Sequence, residues 1–507
     1  MNSYLRDKLG ALAVCCFLTA LLIYGGLVTG LVFKEPDVCW LLGSGRWIVE
    51  HGQLPSSDPF SYTTHYLGAP YVIEKWLTEV IFWLLYAKTT AYGLLIFDAV
   101  LLAIASVIIP YRLAFLCGWR GYRAMGLSLV VMLASVSRLA CRPEIFSYLF
   151  AGVWMEVMIR SDRKCKNTDQ IDWIAVAVLA TCTILWSNLH TTFMLGVALP
   201  LVYSLSQVAE RVLVPELRTK PFNWTMPIAF VACLLASLIN PYGIGLWTYL
   251  PYVFGGFTKT NNEMQPIWHA QPWVPTYYPF YVLLFIGLKS LWLTRRQPLQ
   301  KGDLFFKALI PAAIAGAFNT VRTIPISDLF MAGAIPRIEP EDRQSEPDDF
   351  LFRVANPMKP AWIALCLVTT AIGAMLMTKA VPPEIAQGSK AFAPPLKAIA
   401  WLDKNAPKGN MLNLAHFGAV MIFEMEHNPP DFIDPRYNLF GNDLLQDYWK
   451  MIDCKDNWQQ LMQHYKIDWT FLPPTQELSK RLAHDPDWQL LYSDDVSAIY
   501  ARKHKLQ

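Results

Sequence analysis

Long runs of apolar residues alternate with short polar loops along most of the chain. Eleven runs are long enough, or nearly long enough, to cross a bilayer as a helix, which takes about 20 residues. They cover residues 9–33, 91–110, 124–138, 145–160, 171–188, 192–209, 225–240, 278–294, 304–321, 324–336 and 360–380. This pattern predicts a mostly α polytopic membrane protein with about 11 transmembrane helices, the first of which is an uncleaved N-terminal segment.

The segment at residues 76–86 is also apolar and is a candidate for a further span. Arginine and lysine decide the question, because loops rich in these residues stay in the cytoplasm. If residues 76–88 instead lie on the membrane surface, the main basic clusters all fall inside, at 112–123, 160–166, 211–220, 295–307 and 337–359. We therefore predict a cytoplasmic N-terminus, an outer C-terminus, an interfacial helix at 76–88 and a second one at 38–50.

The composition changes after about residue 381, where charged residues become more frequent. Short β-like runs are predicted at 410–414, 431–434, 468–472, 488–492 and 497–501, and helical patterns at 393–404, 443–452, 458–465 and 476–483. The sequence therefore predicts two domains. Residues 1–380 form a transmembrane domain with a long first outer loop at 34–90, and residues 381–507 form a small extracytoplasmic α/β domain.

Overall composition agrees with a membrane protein, since 54% of the residues are hydrophobic and only 16% are charged. Soluble proteins carry about 25% charged residues. A net charge of +3 without basic runs argues against nucleic acid as a partner. The ten cysteines include no Cys-x-x-Cys pair, so neither a zinc site nor a disulfide framework is indicated, although Cys39 and Cys454 both lie outside the predicted spans.

The first outer loop carries acids that are candidates for chemistry. Asp37 follows the first span closely, and a carboxylate there can accept a proton or hold a divalent cation. The structural alternative is a cap for the helix that begins near Val38, and both roles are compatible. Asp58, in a Ser-Asp-Pro sequence, is typical of a turn. Glu74, beside Lys75, is either half of a surface ion pair or a second active-site acid.

Cationic and polar residues also collect at the predicted outer helix ends. Arg138 and Arg142 lie in a short outer turn, where arginine is suited to bind a lipid-linked phosphate. Asn188 and His190 lie between two spans, and Arg322 lies at another outer helix end. Each has a structural alternative as a helix start or hydrogen-bonding residue. All nine histidines map to the predicted outer side.

Two acids lie within apolar segments, where a buried charge is usually functional. These are Asp98 and Asp328. They would support a transporter, but that reading requires inverted internal repeats, and none is visible in the sequence.

Taken in order, the motifs of the chain resemble those of a large group of bacterial membrane proteins in the GT-C superfamily of membrane glycosyltransferases. The matching residues are Asp37-Val38-Cys39-Trp40, the stretch from Gly52 to Ser61, Trp76-Leu77, Arg142-Pro143, Asn188-Leu189-His190, Asn240-Pro241-Tyr242-Gly243, the run from Arg322 to Pro325, and Ile433-Asp434-Pro435-Arg436. Two departures stand out. Glu74-Lys75 replaces a His-Glu pair, and Pro435 replaces a glycine.

The resemblance implies transfer of a sugar from a polyprenyl-phosphate lipid to a sugar or glycan acceptor, at the outer face of a bacterial inner membrane. It implies that Asp37 is the base or a metal-site carboxylate and that cations near the outer helix ends hold the lipid phosphate. We therefore expect Asp37 and Glu74 to be catalytic and Arg142, Asn188, His190 and Arg322 to bind substrate, although the displaced acid argues against Glu74. A divalent cation is a candidate cofactor. The alternative is a non-enzymatic scaffold or assembly partner in envelope polysaccharide biogenesis, because a fold alone does not determine chemistry.

Overall fold

The computed structural model describes residues 37–64, 71–119, 121–135, 141–255, 264–269, 277–339, 393–425 and 429–503. The predicted first and last spans, Arg138 and the predicted domain boundary near residue 381 lie outside these residues. The described part is mostly helical, with one small sheet.

Helices form where the sequence predicts apolar segments, as far as the described residues extend. In chain order they are α1 (Asp37–His51), α2 (Trp76–Ala103), α3 (Ile109–Leu116), α4 (Gly121–Ser135), α5 (Glu144–Lys164), α6 (Trp173–Leu189), α7 (Met194–Leu213), α8 (Thr225–Ala236), α9 (Gly245–Gly255), α10 (Tyr278–Thr294), α11 (Asp303–Asn319) and α12 (Ile324–Ile338). Among the residues that the structure describes, two helical stretches are long and apolar enough to cross a membrane, Trp76–Leu116 and Thr191–Leu213.

The long stretch that begins with α2 is broken at Thr90, whose φ is +62°. A β-branched residue rarely adopts this left-handed conformation, so the backbone changes direction there. The break separates residues 76–89 from the apolar run that follows. It lies where the sequence predicts an interfacial helix to end and a span to begin.

The C-terminal α/β segment, residues 393–503, contains a four-stranded sheet in the order β1-β2-β4-β3. β1 (Asn410–Asn413) is parallel to β2 (Ile467–Leu472), whereas β4 (Ala498–Arg502) is antiparallel to β2 and to β3 (Trp488–Ser493). A parallel pair needs a long crossover. The chain between β1 and β2 supplies it with three helices, α14 (Ala415–Glu424), α15 (Gly441–Ile452) and α16 (Trp458–His464), while α13 (Leu396–Asn405) precedes β1 and α17 (Glu477–Leu482) follows β2.

The expected strand at residues 431–434 is not part of this sheet, and α14 was not expected from the sequence. Asp431 makes a single parallel bridge to Ser61 in the α1–α2 loop instead. Its backbone N–H donates to Phe60 O, and its carbonyl accepts from Tyr62 N. The β-like run therefore pairs with a distant loop, which local pattern does not reveal.

Two glycines let α1 pack closely against neighbours on two sides. A Cβ at Gly43 would lie 2.4 Å from the carbonyl oxygen of Ile422 in α14. A Cβ at Gly45 would lie 2.1 Å from the carbonyl oxygen of Glu79 in α2. The Arg46 guanidinium adds hydrogen bonds to the last carbonyls of α14. Helix α1 is thus held between α2 and the C-terminal α/β segment.

Candidate functional site

Asp37 and Arg142, which are 105 positions apart in the sequence, meet at the start of α1. Asp37 is the first residue of that helix, where a negative charge is favourable to the helix dipole. Its Oδ2 lies 3.7 Å from Nη2 of Arg142, which precedes α5 by two residues. One third of the Asp37 side chain is exposed, against 12% of Arg142. The Asp37 carboxylate is therefore held at the start of α1 beside Arg142 and is still accessible to solvent.

Lys75 and Glu74 join this pair through an aromatic residue. The indole N–H of Trp40 donates to Oδ1 of Asp37 at 3.3 Å. The Lys75 ammonium lies 4.7 Å from the centre of the Trp40 ring and 3.3 Å from Oε1 of buried Glu74. In the sequence, Lys75 departs from the pattern that the resemblance implies. In the structure, its ammonium group lies beside Trp40, which donates a hydrogen bond to Asp37.

A second ion pair stands next to the first. Arg322, in a 3₁₀ turn between α11 and α12, binds the carboxylate of Glu144 at the start of α5. Glu144 is buried and follows Arg142 by two residues, so the two arginines approach the same turn. The signal for Glu144 was present in the Arg142-Pro143-Glu144 sequence, and sequence reasoning did not use it.

His190 is buried at the end of α6, with Nδ1 held by two hydroxyl groups. The Ser147 hydroxyl lies 2.8 Å away and that of Thr192 lies 2.9 Å away. Burial lowers the pKa of His190 to about 3, although the charge of Glu144 opposes the shift. The ring is therefore neutral at neutral pH and adds no positive charge to the site.

Asn188 anchors the segment that carries Lys75. Its side-chain carbonyl accepts from the indole N–H of Trp76 at 2.9 Å, and its amide donates to the carbonyls of Ile184 and Ile239. Tyr242, from the Asn240–Gly243 turn, accepts from the Ile73 N–H. These bonds position the start of α2 relative to α6.

Asp98 and Asp328 do not join the site. Both are buried in helices, and one oxygen of Asp98 and both oxygens of Asp328 have no hydrogen-bond partner among the described residues. No ion pair in the described part of the chain joins either acid to the cations that surround Asp37.

The C-terminal α/β segment also reaches Asp37. The charge of Asp37 acts on His416 in α14 and on Tyr437, and burial together with that charge raises the pKa of Tyr437. Sequence reasoning did not connect this segment to Asp37. The site is therefore assembled from the helical bundle and the α/β segment together.

A buried charge cluster fastens the α1–α2 loop to the α/β segment, and the sequence did not predict it. Arg436 donates to both oxygens of Asp58, at 3.0 and 2.9 Å, and to both oxygens of Asp434, at 2.9 and 2.6 Å. It also donates to the Tyr71 hydroxyl at 3.2 Å. The turn role expected of Asp58 is present, because its Oδ1 accepts a hydrogen bond from the backbone N–H of Phe60 at 3.2 Å. Its fully buried carboxylate also faces Arg436, which is 378 positions away in the sequence.

The cluster holds three acids and one guanidinium, so its charges do not balance if every acid is ionised. Burial and the charge of Asp434 raise the pKa of Asp431 well above its ordinary value, while the Ser61 hydroxyl and Arg436 oppose the shift. Burial also raises the pKa of Asp58, against the opposing effect of Arg436. One oxygen of Asp431 has no hydrogen-bond partner in the described part of the chain. A proton on Asp431 lowers the net charge of the cluster from −2 to −1 and so reduces the repulsion between its carboxylates.

Beside this cluster is a narrow hollow, partly open to solvent, whose interior has room for about one water molecule. It lies between α1, the end of the α1–α2 loop and the turn after Arg436. Its polar lining comes from Ser44, Tyr71, Glu74, Lys75, Glu79 and Asn438, and Trp40 provides an aromatic face. Within the described ranges, no three histidine, cysteine or acidic side chains are grouped so as to hold a metal ion.

No protein-family model matches the chain, and no curated protein sequence matches it. Solved structures do. The oligosaccharyltransferase of Archaeoglobus fulgidus in its apo form aligns over 90% of this chain and 69% of its own, at 10% identity and a TM-score of 0.52. The same protein tethered to an acceptor peptide with the NVT sequon aligns over 97% and 74%, at 12% identity and a TM-score of 0.52.

The third structure is ArnT from Cupriavidus metallidurans bound to undecaprenyl phosphate. It aligns over 96% of this chain and 97% of its own length, at 14% identity and a TM-score of 0.50. At these identities the likeness concerns the fold. The resemblance inferred from the motifs is confirmed at that level: the chain has the fold of the GT-C glycosyltransferases.

Proposed function

We propose that the chain is a membrane glycosyltransferase that takes a sugar from a polyprenyl-phosphate donor at the outer face of a bacterial inner membrane. The main evidence for this proposal is the set of side chains around Asp37. A partly exposed carboxylate lies beside Arg142, one aromatic ring away from Lys75, and next to the Glu144–Arg322 pair. The site thus combines one accessible base with several cations.

This combination fits displacement of a lipid phosphate by a hydroxyl group. The acceptor hydroxyl attacks the anomeric carbon with inversion, the bond from that carbon to the phosphate oxygen breaks, and the hydroxyl proton passes to Asp37. Arg142, Lys75 and Arg322 stabilise the negative charge that develops on the departing phosphate. Side chains of this protein accept the proton and stabilise the developing charge in this scheme.

The other predicted site residues take supporting roles in this scheme. Neutral His190 orients Ser147 and Thr192 next to Glu144 and does not bind phosphate by charge. Asn188 holds Trp76, and so the residue before it, Lys75. Glu74 restrains the Lys75 ammonium through their ion pair.

The solved structures support the donor class. One similar protein is bound to undecaprenyl phosphate and another to an acceptor peptide. Alignment over nearly the whole of both chains in the first case makes a polyprenyl phosphate the donor to test here. The proposed acceptor is a sugar or glycan of the cell envelope.

The test is transfer of radiolabelled sugar from a set of polyprenyl-phosphate hexoses by the purified protein in liposomes. Loss of a general base typically costs 10²- to 10⁴-fold in rate, so Asp37→Asn is expected to lower transfer by about that factor. The matched control is Glu50→Gln on the exposed last turn of the same helix, which should retain activity.

Undiminished transfer by Asp37→Asn would remove this residue from the chemistry. If no transfer occurs with any donor, and Asp37→Asn and Arg142→Ala both complement a deletion strain, the chain acts as a non-enzymatic scaffold. That outcome would replace the enzymatic proposal.

A further inference from the structure

The end of the helical bundle opposite Asp37 is not used by the proposed transfer. Helices α6 and α7 meet beside the site at His190, so the start of α6 and the end of α7 lie at that opposite end. The apolar stretch Thr191–Leu213 has 23 residues and is about 35 Å long at 1.5 Å per residue. The hydrocarbon core of a bilayer is about 30 Å thick. A stretch that begins at the outer interface of the membrane therefore ends at the inner one.

Five large apolar residues are exposed at this inner end. They form an inner belt that consists of Trp173 and Ile174 at the start of α6, Val212 and Leu213 at the end of α7, and Trp224 directly before α8. Each of them is between 53% and 73% exposed. Tryptophan collects at membrane–water interfaces, because its ring is apolar and its N–H is polar. The inner belt therefore suits the boundary between hydrocarbon and lipid headgroups.

Buried hydrogen bonds join the three helix ends that carry the inner belt. The Asp172 N–H donates to Oγ1 of Thr225 at 2.9 Å, which ties the start of α6 to the start of α8. The Asn223 N–H donates to Oε1 of Gln207 at 2.9 Å, which ties the residue before Trp224 to α7. The five apolar residues are therefore parts of one surface.

Three cations lie next to the inner belt, in residues 211–220. Arg218 Nε donates to the carbonyl of Arg211 at 2.9 Å, and Arg211 Nη2 donates to the carbonyl of Lys220 at 2.6 Å. Since a guanidinium has five N–H donors, these bonds leave both arginines able to bind an anion as well. Glu216 is the one acid in residues 211–220, so three positive charges and one negative give this segment a net charge of +2.

The cations and the inner belt together match a phospholipid. Arg211 directly precedes the exposed Val212 and Leu213, so a phosphate bound by the cations would lie beside apolar side chains. A free phosphate would bind the cations but leave the inner belt in water. A phospholipid carries a phosphate and acyl chains in one molecule, and a net positive charge favours a headgroup that is anionic overall.

We propose that this end of the bundle binds an anionic glycerophospholipid of the inner leaflet. Arg211, Arg218 and Lys220 hold its headgroup phosphate, Val212 and Leu213 contact its acyl chains, and the two tryptophans of the inner belt lie at the level of the headgroups. The site lies at the far end of α7 from Asp37. Lipid binding there does not depend on sugar transfer.

The experiment is native mass spectrometry of the full-length protein released from nanodiscs that contain equal amounts of phosphatidylglycerol and phosphatidylethanolamine. The wild type should retain phosphatidylglycerol preferentially. A Lys or Arg near an anionic headgroup contributes about fivefold in affinity. Replacing Arg211, Arg218 and Lys220 by Gln together should therefore reduce the preference for phosphatidylglycerol by about 100-fold. Arg211 also packs on the Phe222 ring, so the double variant Arg218→Gln/Lys220→Gln, with an expected loss of about 25-fold, tests the site without disturbing that contact.

The matched control removes the same number of positive charges from the exposed surface of the C-terminal α/β segment. It combines Lys455→Gln, Lys480→Gln and Arg481→Gln, all of which replace exposed side chains. This control should keep the wild-type preference for phosphatidylglycerol. An equal loss in the control and in the Arg211, Arg218 and Lys220 variant would show an effect of net charge and would overturn the proposed site.

A second measurement locates the lipid on the wild-type protein. Phosphatidylglycerol with a diazirine on its acyl chain should label residues 173–174 or 211–224 on irradiation, as mapped by mass spectrometry. Labelling only elsewhere, or equal retention of the two lipids by the wild type, would overturn the proposal. Neither readout requires sugar transfer, so the lipid site and the proposed enzyme are tested separately.

Discussion

Removal of Arg436 is expected to release the α1–α2 loop from the C-terminal α/β segment. Arg436→Met keeps much of the length and apolar stem of the side chain but removes the guanidinium. Only 6% of Arg436 is exposed, and the side chains of Asp58 and Asp434 are fully buried. The variant therefore leaves two carboxylates facing each other without their shared cation.

The expected cost follows from this burial. Breaking a buried ion pair by removing one partner typically costs about 3–5 kcal/mol, because the remaining charge is uncompensated. Since a tenfold change corresponds to about 1.4 kcal/mol, local opening should increase by roughly 100- to 4,000-fold. The helices that do not touch the cluster should be little affected, because their packing is apolar.

Hydrogen–deuterium exchange measured by mass spectrometry reports this opening directly. Peptides covering residues 53–64 and 431–436 should exchange faster by that factor, while peptides from α5 to α7 should not. Arg481→Met is the matched control, since Arg481 pairs with Glu477 on the exposed surface of the same α/β segment. Exposed pairs contribute about 0–1 kcal/mol.

A change of less than about tenfold in the loop peptides would refute the reasoning, because the cluster would then not hold the loop. A second observation sharpens the result. Adding Asp434→Asn to Arg436→Met removes one of the uncompensated charges. The double variant should therefore regain part of the lost protection, as expected for residues that interact.

Three further predictions concern single contacts. Since the pKa of Asp431 is raised, the proton it binds stabilises the docked loop below the ordinary carboxyl range, and this stability is lost as pH rises through the raised pKa. Asp431→Asn should therefore flatten the pH dependence of hydrogen exchange in residues 53–64. An unchanged pH dependence would contradict the protonation of Asp431. Gly43→Val should lower stability by about 1–3 kcal/mol through its clash with Ile422, seen as a lower thermal midpoint, whereas Gly126→Ala, with open space around the added Cβ, should not. Trp76→Phe should cost about 1 kcal/mol through the lost bond to Asn188, and equal midpoints for variant and wild type would show that this bond does not position α2.

The positions of the helices could be predicted from the sequence, because hydrophobic periodicity is a local property. Most of the described helices follow predicted apolar runs or helical patterns, whereas α9 and α14 do not. The break at Thr90 lies where the surface helix is expected to end. The α/β character of the C-terminal segment was also visible locally, with four of five expected strands found. The resemblance of the ordered motifs indicated the fold.

The candidate site was predictable only in part. Asp37, Arg142 and Arg322 were singled out by residue type and position at helix ends, yet nothing local pairs Asp37 with Arg142 or Arg322 with Glu144. Lys75 departs from the motif that the resemblance implies, and its contact with Trp40, 35 positions away, is visible only in the structure.

The sequence by itself thus determined which segments are helices, where the polar loops lie and which side chains are suited to phosphate chemistry. Only the tertiary structure decided that Asp58 faces Arg436 and that Asp431 pairs with Ser61 in the α1–α2 loop. The physical reason is range. Backbone patterning acts over a few residues, whereas a buried charge is satisfied by whichever partner the packed helices bring within 3 Å, and that partner is 378 positions away.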